Sequence, residues 1–138
     1  MSRSEDRHQG QRWLDTAEED LRAARALMAS DLFAHACFAA QQCGEKAVKA
    51  LWYANGDDPW GHSIQKLIAE CPVLSSAHRD EWVERGAFLD RFYIPTRYPN
   101  GLPDLTPEQS YFRTDAEGAV KEAQAMMHHC RVVLSQLE

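Results

Sequence analysis

Apolar residues recur at helical spacing along most of this chain, and no stretch alternates as a half-buried strand requires. From about Gln11 to Ala29, Leu14, Ala17, Leu21, Ala24 and Met28 share one face, while Asp15, Glu18, Glu19, Arg22 and Arg25 cover the other. Asp20 is the exception, on the border of the apolar stripe beside Ala24. A second helix, from about Leu32 to Ala54, is the most apolar segment. Phe33, Ala36, Cys37, Ala40, Ala47, Val48, Leu51 and Ala54 cover more than half its circumference, and its small residues let neighbours approach closely. It is therefore expected at the centre of the fold, ended by the breakers Asn55-Gly56-Asp57-Asp58-Pro59. A short helix is predicted from about Ser63 to Glu70, stopping near Pro72, and a longer one from about Ser76 to Phe92. Thr114-Asp-Ala-Glu117 has the pattern of a capping box, in which Thr114 and Glu117 satisfy free N–H groups at a helix start. The last helix then runs to about Leu137, burying Ala116, Ala119, Ala123, Met127, Cys130 and Leu134. The expected fold is all-α: an antiparallel up-and-down bundle of four long helices plus one short helix. Residues 1–10 are expected as a flexible tail and 11–138 as a single domain.

Between the last two predicted helices lies a stretch of roughly twenty residues with neither periodicity, opening with Tyr93-Ile-Pro-Thr-Arg97-Tyr98-Pro99-Asn-Gly101. Pro95, Pro99, Pro103 and Pro107 fall here, four of the chain's six prolines. A disordered linker is poor in aromatics, yet this segment holds Tyr93, Tyr98, Tyr111 and Phe112. Fixed proline torsions and aromatic anchors predict a loop packed in one shape, presenting Arg97.

Composition narrows the functional classes. The chain has 138 residues, 44% hydrophobic and 26% charged, as an ordinary globule does. Its longest nearly apolar run, Leu32 to Ala40, is too short to span a bilayer, and Ser2 to Arg12 has no apolar stretch to act as a signal peptide. A cytoplasmic protein without a membrane role is expected. Cys37, Cys43, Cys71 and Cys130 form no CxxC pair and are expected as free, mostly buried thiols. His128, His129 and Cys130 are consecutive, so they point in different directions from a helix and cannot converge on one metal. No metal or cofactor is expected. A net charge of −6 does not attract nucleic acid in bulk, so an anionic ligand would need a locally basic pocket.

Three sets of residues could carry chemistry. On the second helix, His35, Gln42, Lys46 and Lys49 fall within about 60° of one another, and Gln41 and Glu45 extend the band. Spacing alone favours a solvated face on which Glu45 and Lys49 form a routine i,i+4 pair, a few tenths of a kcal/mol in strength. Asp20, at a packing edge, calls for a cationic partner, and Lys46 can supply it. His62, in Trp60-Gly61-His62-Ser63, reads first as a structural or capping histidine, because catalysis needs a partner supplied by folding. Arg97 can grip phosphate or carboxylate with two parallel hydrogen bonds, with Tyr93 and Tyr98 available to stack on a base. The competing role for Arg97 is to tie the loop to a helix carboxylate such as Asp90. No Gly-rich phosphate loop, HExxH or GxSxG occurs.

Taken in order, Trp13-Leu-Asp-Thr-Ala17-Glu-Glu-Asp20-Leu21, Ala40-Gln41-Gln42-Cys-Gly-Glu45-Lys46-Ala47-Val-Lys49-Ala50, His62-Ser63, Tyr93 to Pro99 and Asp115-Ala116-Glu117 resemble the HEPN family. The resemblance covers Trp13 to about Leu134. It implies a helical bundle that usually dimerises and binds nucleotides, partnered with a minimal nucleotidyltransferase in a toxin–antitoxin-like pair. Many HEPN proteins are metal-independent ribonucleases in which an Arg is followed, after four to six residues, by a His. Arg97 has no histidine at that distance, and the one numerical match, Arg3 with His8, lies in the expected tail. The Tyr93-to-Pro99 stretch instead resembles the branch of the family without that motif. The leading expectation is a dimeric module that binds a nucleotide or RNA-like ligand through Arg97, Tyr98, Tyr93, Lys46, Lys49, Gln42 and Glu45. The alternatives are a divergent metal-independent ribonuclease using Arg97 with His62, and a purely structural dimerisation domain.

Overall fold

Helix α1, Arg3–Ala29, begins well before the expected boundary near Gln11. The structure, a computed structural model, describes residues 2–137. Two local features account for the early start, and neither is apolar. Ser2 caps the helix: its Oγ accepts from the Glu5 N–H at 3.2 Å, and the Glu5 carboxylate accepts from the Ser2 N–H at 3.0 Å. Gly10 then lets α1 lie directly on the next helix, because a Cβ here would stand 2.6 Å from Ala54 Cβ. Residues 3–10, expected in a flexible tail, are thus helical.

Helix α2, Phe33–Ala54, is central as predicted, packing against α1, α3 (Ile64–Ala69), α4 (Ser76–Asp90), α5 (Pro107–Ser110) and α6 (Arg113–Gln136). Helices α3, Ile64–Ala69, and α4, Ser76–Asp90, pack on each other and close one side. Helix α6, Arg113–Gln136, lies along α2 and α1. Its cap falls two residues earlier than predicted. The Asp115 carboxylate accepts from the Phe112 N–H at 2.8 Å, but Phe112 has no side-chain acceptor to return the bond, so half a capping box starts the helix. Thr114 and Glu117 lie inside the first turns instead.

The proline-rich connection is ordered in shape but not wholly irregular. It contains a 3₁₀ turn, Pro99–Gly101, and a four-residue helix α5, Pro107–Ser110, capped reciprocally by Thr106 and Gln109. Thr96, 3% exposed, pins its start by donating to the Phe92 carbonyl at 2.5 Å. The fold among the described residues is therefore all-α, a bundle of four long helices with two short ones. One apolar core joins Leu14, Leu21, Val48, Leu51, Ile64, Leu89, Met126 and their neighbours. All four cysteines lie free and buried in it. Burial pushes the Cys37 and Cys43 thiols up to about 12, leaving them protonated and unreactive.

Candidate functional site

Residues three or four apart on α2 (Phe38, Gln42, Glu45, Lys49 and Tyr53) form one stripe, onto which the chain lays two other elements. At the Phe38 end sits the start of the proline-rich connection. The Arg97 guanidinium carbon lies 4.4 Å from the Phe38 ring centre, 4.6 Å from that of Tyr93 and 5.2 Å from that of Tyr98. Its Nε donates to the Tyr93 carbonyl at 2.9 Å, which orients the exposed guanidinium. No carboxylate among the described residues pairs with Arg97, and its terminal NH₂ groups remain available.

The Asp90 carboxylate, the partner considered for Arg97, is engaged elsewhere. It accepts from Ser63 Oγ at 3.1 Å and from the Ile64 and Gln65 N–H groups at 2.7 and 3.0 Å, capping α3 from outside its own helix. That cap fixes the backbone immediately after His62. Gly61, at φ +87°, supplies the turn that brings His62 back onto α2.

His62 does find a partner through folding. Its Nδ1 is 3.2 Å from Glu45 Oε2, and its ring stacks on Tyr93 with centres 4.9 Å apart. Glu45 is only 4% exposed and also contacts Lys49 Nζ at 3.1 Å and Gln41 Nε2 at 3.3 Å. Gln41, fully buried, reaches the His62 carbonyl at 3.4 Å as well and receives a bond from Gln42 at 2.8 Å. The band on α2 is accordingly not the solvated face that its spacing favoured. Gln41, Glu45 and Lys49 are buried because α1, the α2–α3 turn and the proline-rich connection cover them.

Lys46 pairs with Asp20 of α1 at 2.8 Å, as the packing-edge carboxylate required. The contact is ionic without a well-aligned hydrogen bond, since Asp20 Oδ2 is buried and otherwise without a partner. Beyond it, Lys49 Nζ lies 6.0 Å over the Trp13 ring, which stacks on Tyr53 at 4.8 Å. A cavity of about 270 Å³ opens here, lined by Gln9, Arg12, Trp13, Thr16 and Lys46. His35 takes no part and bonds instead to Glu108 of α5 at 2.9 Å.

Folding therefore brings Arg97, Tyr93, Tyr98 and His62 together, and sets Lys46 and Lys49 further along the same helix face. Chemically, the first group offers a bidentate phosphate donor, stacking faces and an imidazole oriented by a carboxylate. Phe38, Trp13 and Tyr53 escaped sequence reasoning as site residues, as did the burial of Gln41 and Glu45. The run of three- and four-residue steps from Phe38 through Glu45 to Tyr53 was the signal that could have found Phe38 and Tyr53. No group of three or more His, Cys, Asp or Glu side chains among the described residues is arranged to hold a metal ion. No described helix is long and apolar enough to cross a membrane.

This fold is similar to those of known proteins. The structure of TT1696 from Thermus thermophilus superposes with a TM-score of 0.85 at 38% identity, covering 91% of this chain and 98% of that one. An archaeal HEPN homologue, ST0689, gives 0.76 at 31% identity over 91% of this chain and 98% of its own. A HEPN domain protein of Thermotoga maritima, tm0613, gives 0.72 at 28% identity over 91% and 99%. In sequence, the chain is 27% identical over 124 residues to a Methanocaldococcus jannaschii protein named "Putative toxin MJ1304", covering 83% of this chain and 81% of that protein. The model of the HEPN domain matches residues 11–133. By that match, spanning nearly the whole bundle, the chain belongs to the HEPN domain family.

Proposed function

We propose that this protein is a HEPN binding module that takes a phosphate-bearing ligand, a nucleotide or RNA, at Arg97 and its aromatic surround. The observation that carries this reading is the state of Arg97: exposed, oriented through Nε, clasped by Phe38, Tyr93 and Tyr98, and committed to no carboxylate among the described residues. Arg85, by contrast, has its charge answered by Glu122 at 2.7 Å. Tyr98 is 50% exposed, a face on which a base can stack. Lys46, Lys49, Gln42 and Glu45 extend the site along α2.

The biological setting is a toxin–antitoxin-like pair in the cytoplasm, in which a homodimer of this chain partners a minimal nucleotidyltransferase. Support for that setting is membership in the HEPN family and the similarity to a relative named a toxin. Calorimetric titration of ATP and of a short RNA tests the ligand: wild type gives saturable heat and Arg97→Ala loses it. Equal, negligible heat in both proteins rules the ligand out.

One observation favours a second reading, a metal-independent ribonuclease. Buried Glu45 holds His62 by Nδ1, leaving Nε2 for proton transfer, and His62 and Arg97 lie against the same Tyr93 ring. In this reading total RNA is cleaved in EDTA by wild type, and cleavage is lost in both Arg97→Ala and His62→Ala. Intact RNA at high protein concentration excludes it.

A further inference from the structure

Trp60 is 83% exposed, more than any other large hydrophobic side chain among the described residues, and it takes no part in the core. Its backbone is nevertheless fixed. Pro59 before it is buried, and Gly61 after it turns the chain at φ +87°. The preceding turn is closed by the Gly56 and Asp57 N–H groups, which donate to the Tyr53 and Trp52 carbonyls, both at 3.0 Å. Folding does not account for an indole held out in water by an ordered turn. Tryptophan and arginine are, however, the side chains that most often dominate protein interfaces.

Between Trp60 and the half-buried Trp52 lies a cavity of about 160 Å³, bounded also by Asp58, Lys66, Leu67 and Glu70. Sites for whole small molecules begin near about 300 Å³, so this one admits the head of a single side chain. Trp52 Nε1 donates to the Leu67 carbonyl at 3.1 Å, so its one polar atom is taken and its apolar ring is what it offers. Charge then selects the occupant. Asp57 is answered by Asn55 Nδ2 at 2.7 Å, whereas Asp58 and Glu70 have no hydrogen bond or ion pair among the described residues. Lys66, four residues before Glu70, makes no pair with it, and the lining stays net negative. Indole rings beside unanswered carboxylates suit a cation. A guanidinium fits better than an ammonium, because it stacks flat on an indole and gives a carboxylate two parallel hydrogen bonds. Phe38 and Trp52 are fourteen residues apart on α2, a rise of about 21 Å at ~1.5 Å per residue, so this pocket is separate from the Arg97 site.

We propose that this pocket docks an arginine side chain of a protein partner, seated between Trp60 and Trp52 and paired with Asp58 and Glu70. NMR of the ¹⁵N-labelled chain tests it through the indole N–H signals of the four tryptophans. The probe is an N-acetylated, C-amidated Gly-Gly-Arg-Gly-Gly peptide. The Trp60 and Trp52 signals are expected to shift saturably, while those of Trp13 and Trp82, outside the pocket, stay in place. Trp60→Ala leaves the fold intact, since the side chain is exposed, and it also identifies the Trp60 signal. It should weaken binding by roughly tenfold. The same peptide with citrulline for arginine keeps the shape and loses the charge, and should bind about tenfold more weakly. The arginine peptide should be weakened to a similar degree by the double variant Asp58→Asn, Glu70→Gln. Citrulline binding as tight as arginine, binding unchanged in Trp60→Ala, or no saturable shift overturns the proposal. A tetramethylammonium ion binding as tightly as the peptide also overturns it, marking a site for small quaternary cations instead. None of these outcomes bears on the Arg97 site.

Discussion

Glu45 has three partners, Lys49, His62 and Gln41, within a site that excludes most solvent. The identical sequence separation on an open helix face is a weak pair, screened by water. Here, removal of the carboxylate strands the Lys49 ammonium, itself 9% exposed. Glu45→Ala is therefore expected to cost about 3–5 kcal/mol in chemical denaturation. Arg131→Ala breaks the exposed Arg131–Glu18 pair at 2.9 Å and should cost no more than about 1 kcal/mol. Replacing Glu45 and Lys49 together by Gln and Met should recover much of the loss, since the penalty comes from an unanswered charge and not from a missing attraction. Which of these two pairs is buried could not be read from residue spacing, because the covering groups come from α1 and from the turn before α3.

At the scale of elements, the long helices and the short α3 were legible, and the shortest elements were not. Leu14 to Met28 and Ala116 to Leu134 repeat often enough to reveal their faces, whereas α5 and the Pro99–Gly101 turn end before any period can be counted. The first turns of α1 carry no apolar signal; Ser2, Glu5 and Gly10 hold them through capping and close approach. The α4–α6 seam was equally hidden, since it depends on aromatic rings that meet only after folding. His129 stacks on Trp82 at 4.4 Å and meets His78 edge-on at 5.0 Å, and its buried Nε2 lacks a hydrogen-bond partner. Burial, then His78, holds the imidazole below its ordinary value of 6.5; Arg85 and His128 add to this and Glu81 opposes it. A lowered folded value means that the unfolded chain binds the proton more readily. The stability His129 contributes is complete above about pH 6.5 and is lost as pH falls through the lower, folded value. Thermal midpoints should fall between about pH 7 and pH 5, and fall less in His129→Phe. An unchanged slope in that variant would contradict the assignment.

Across the whole molecule, a net charge of −6 opposes any polyanion at long range, so the recognition proposed at Arg97 has to be local. An aromatic, proline-fixed connection drapes over one end of the central helix and aims an arginine without a carboxylate partner among the described residues outward. Fold class and Arg97 were both legible in the sequence, the first from period and the second from the unusual loop. The Phe38 side of the clasp and the Glu45–His62 contact were not, because each joins residues far apart in the chain. A binding role and a structural role for Arg97 differ most plainly in thermal denaturation of wild type and Arg97→Ala, each alone and with a short RNA. A ligand at a hundred times its Kd stabilises a folded protein by about 2.7 kcal/mol, whereas an exposed cation–π contact contributes about 0.5–1 kcal/mol. The predicted result is nearly equal midpoints without RNA, and a rise on adding RNA that wild type shows and Arg97→Ala does not. A large drop in Arg97→Ala alone, with RNA moving neither midpoint, would contradict the account.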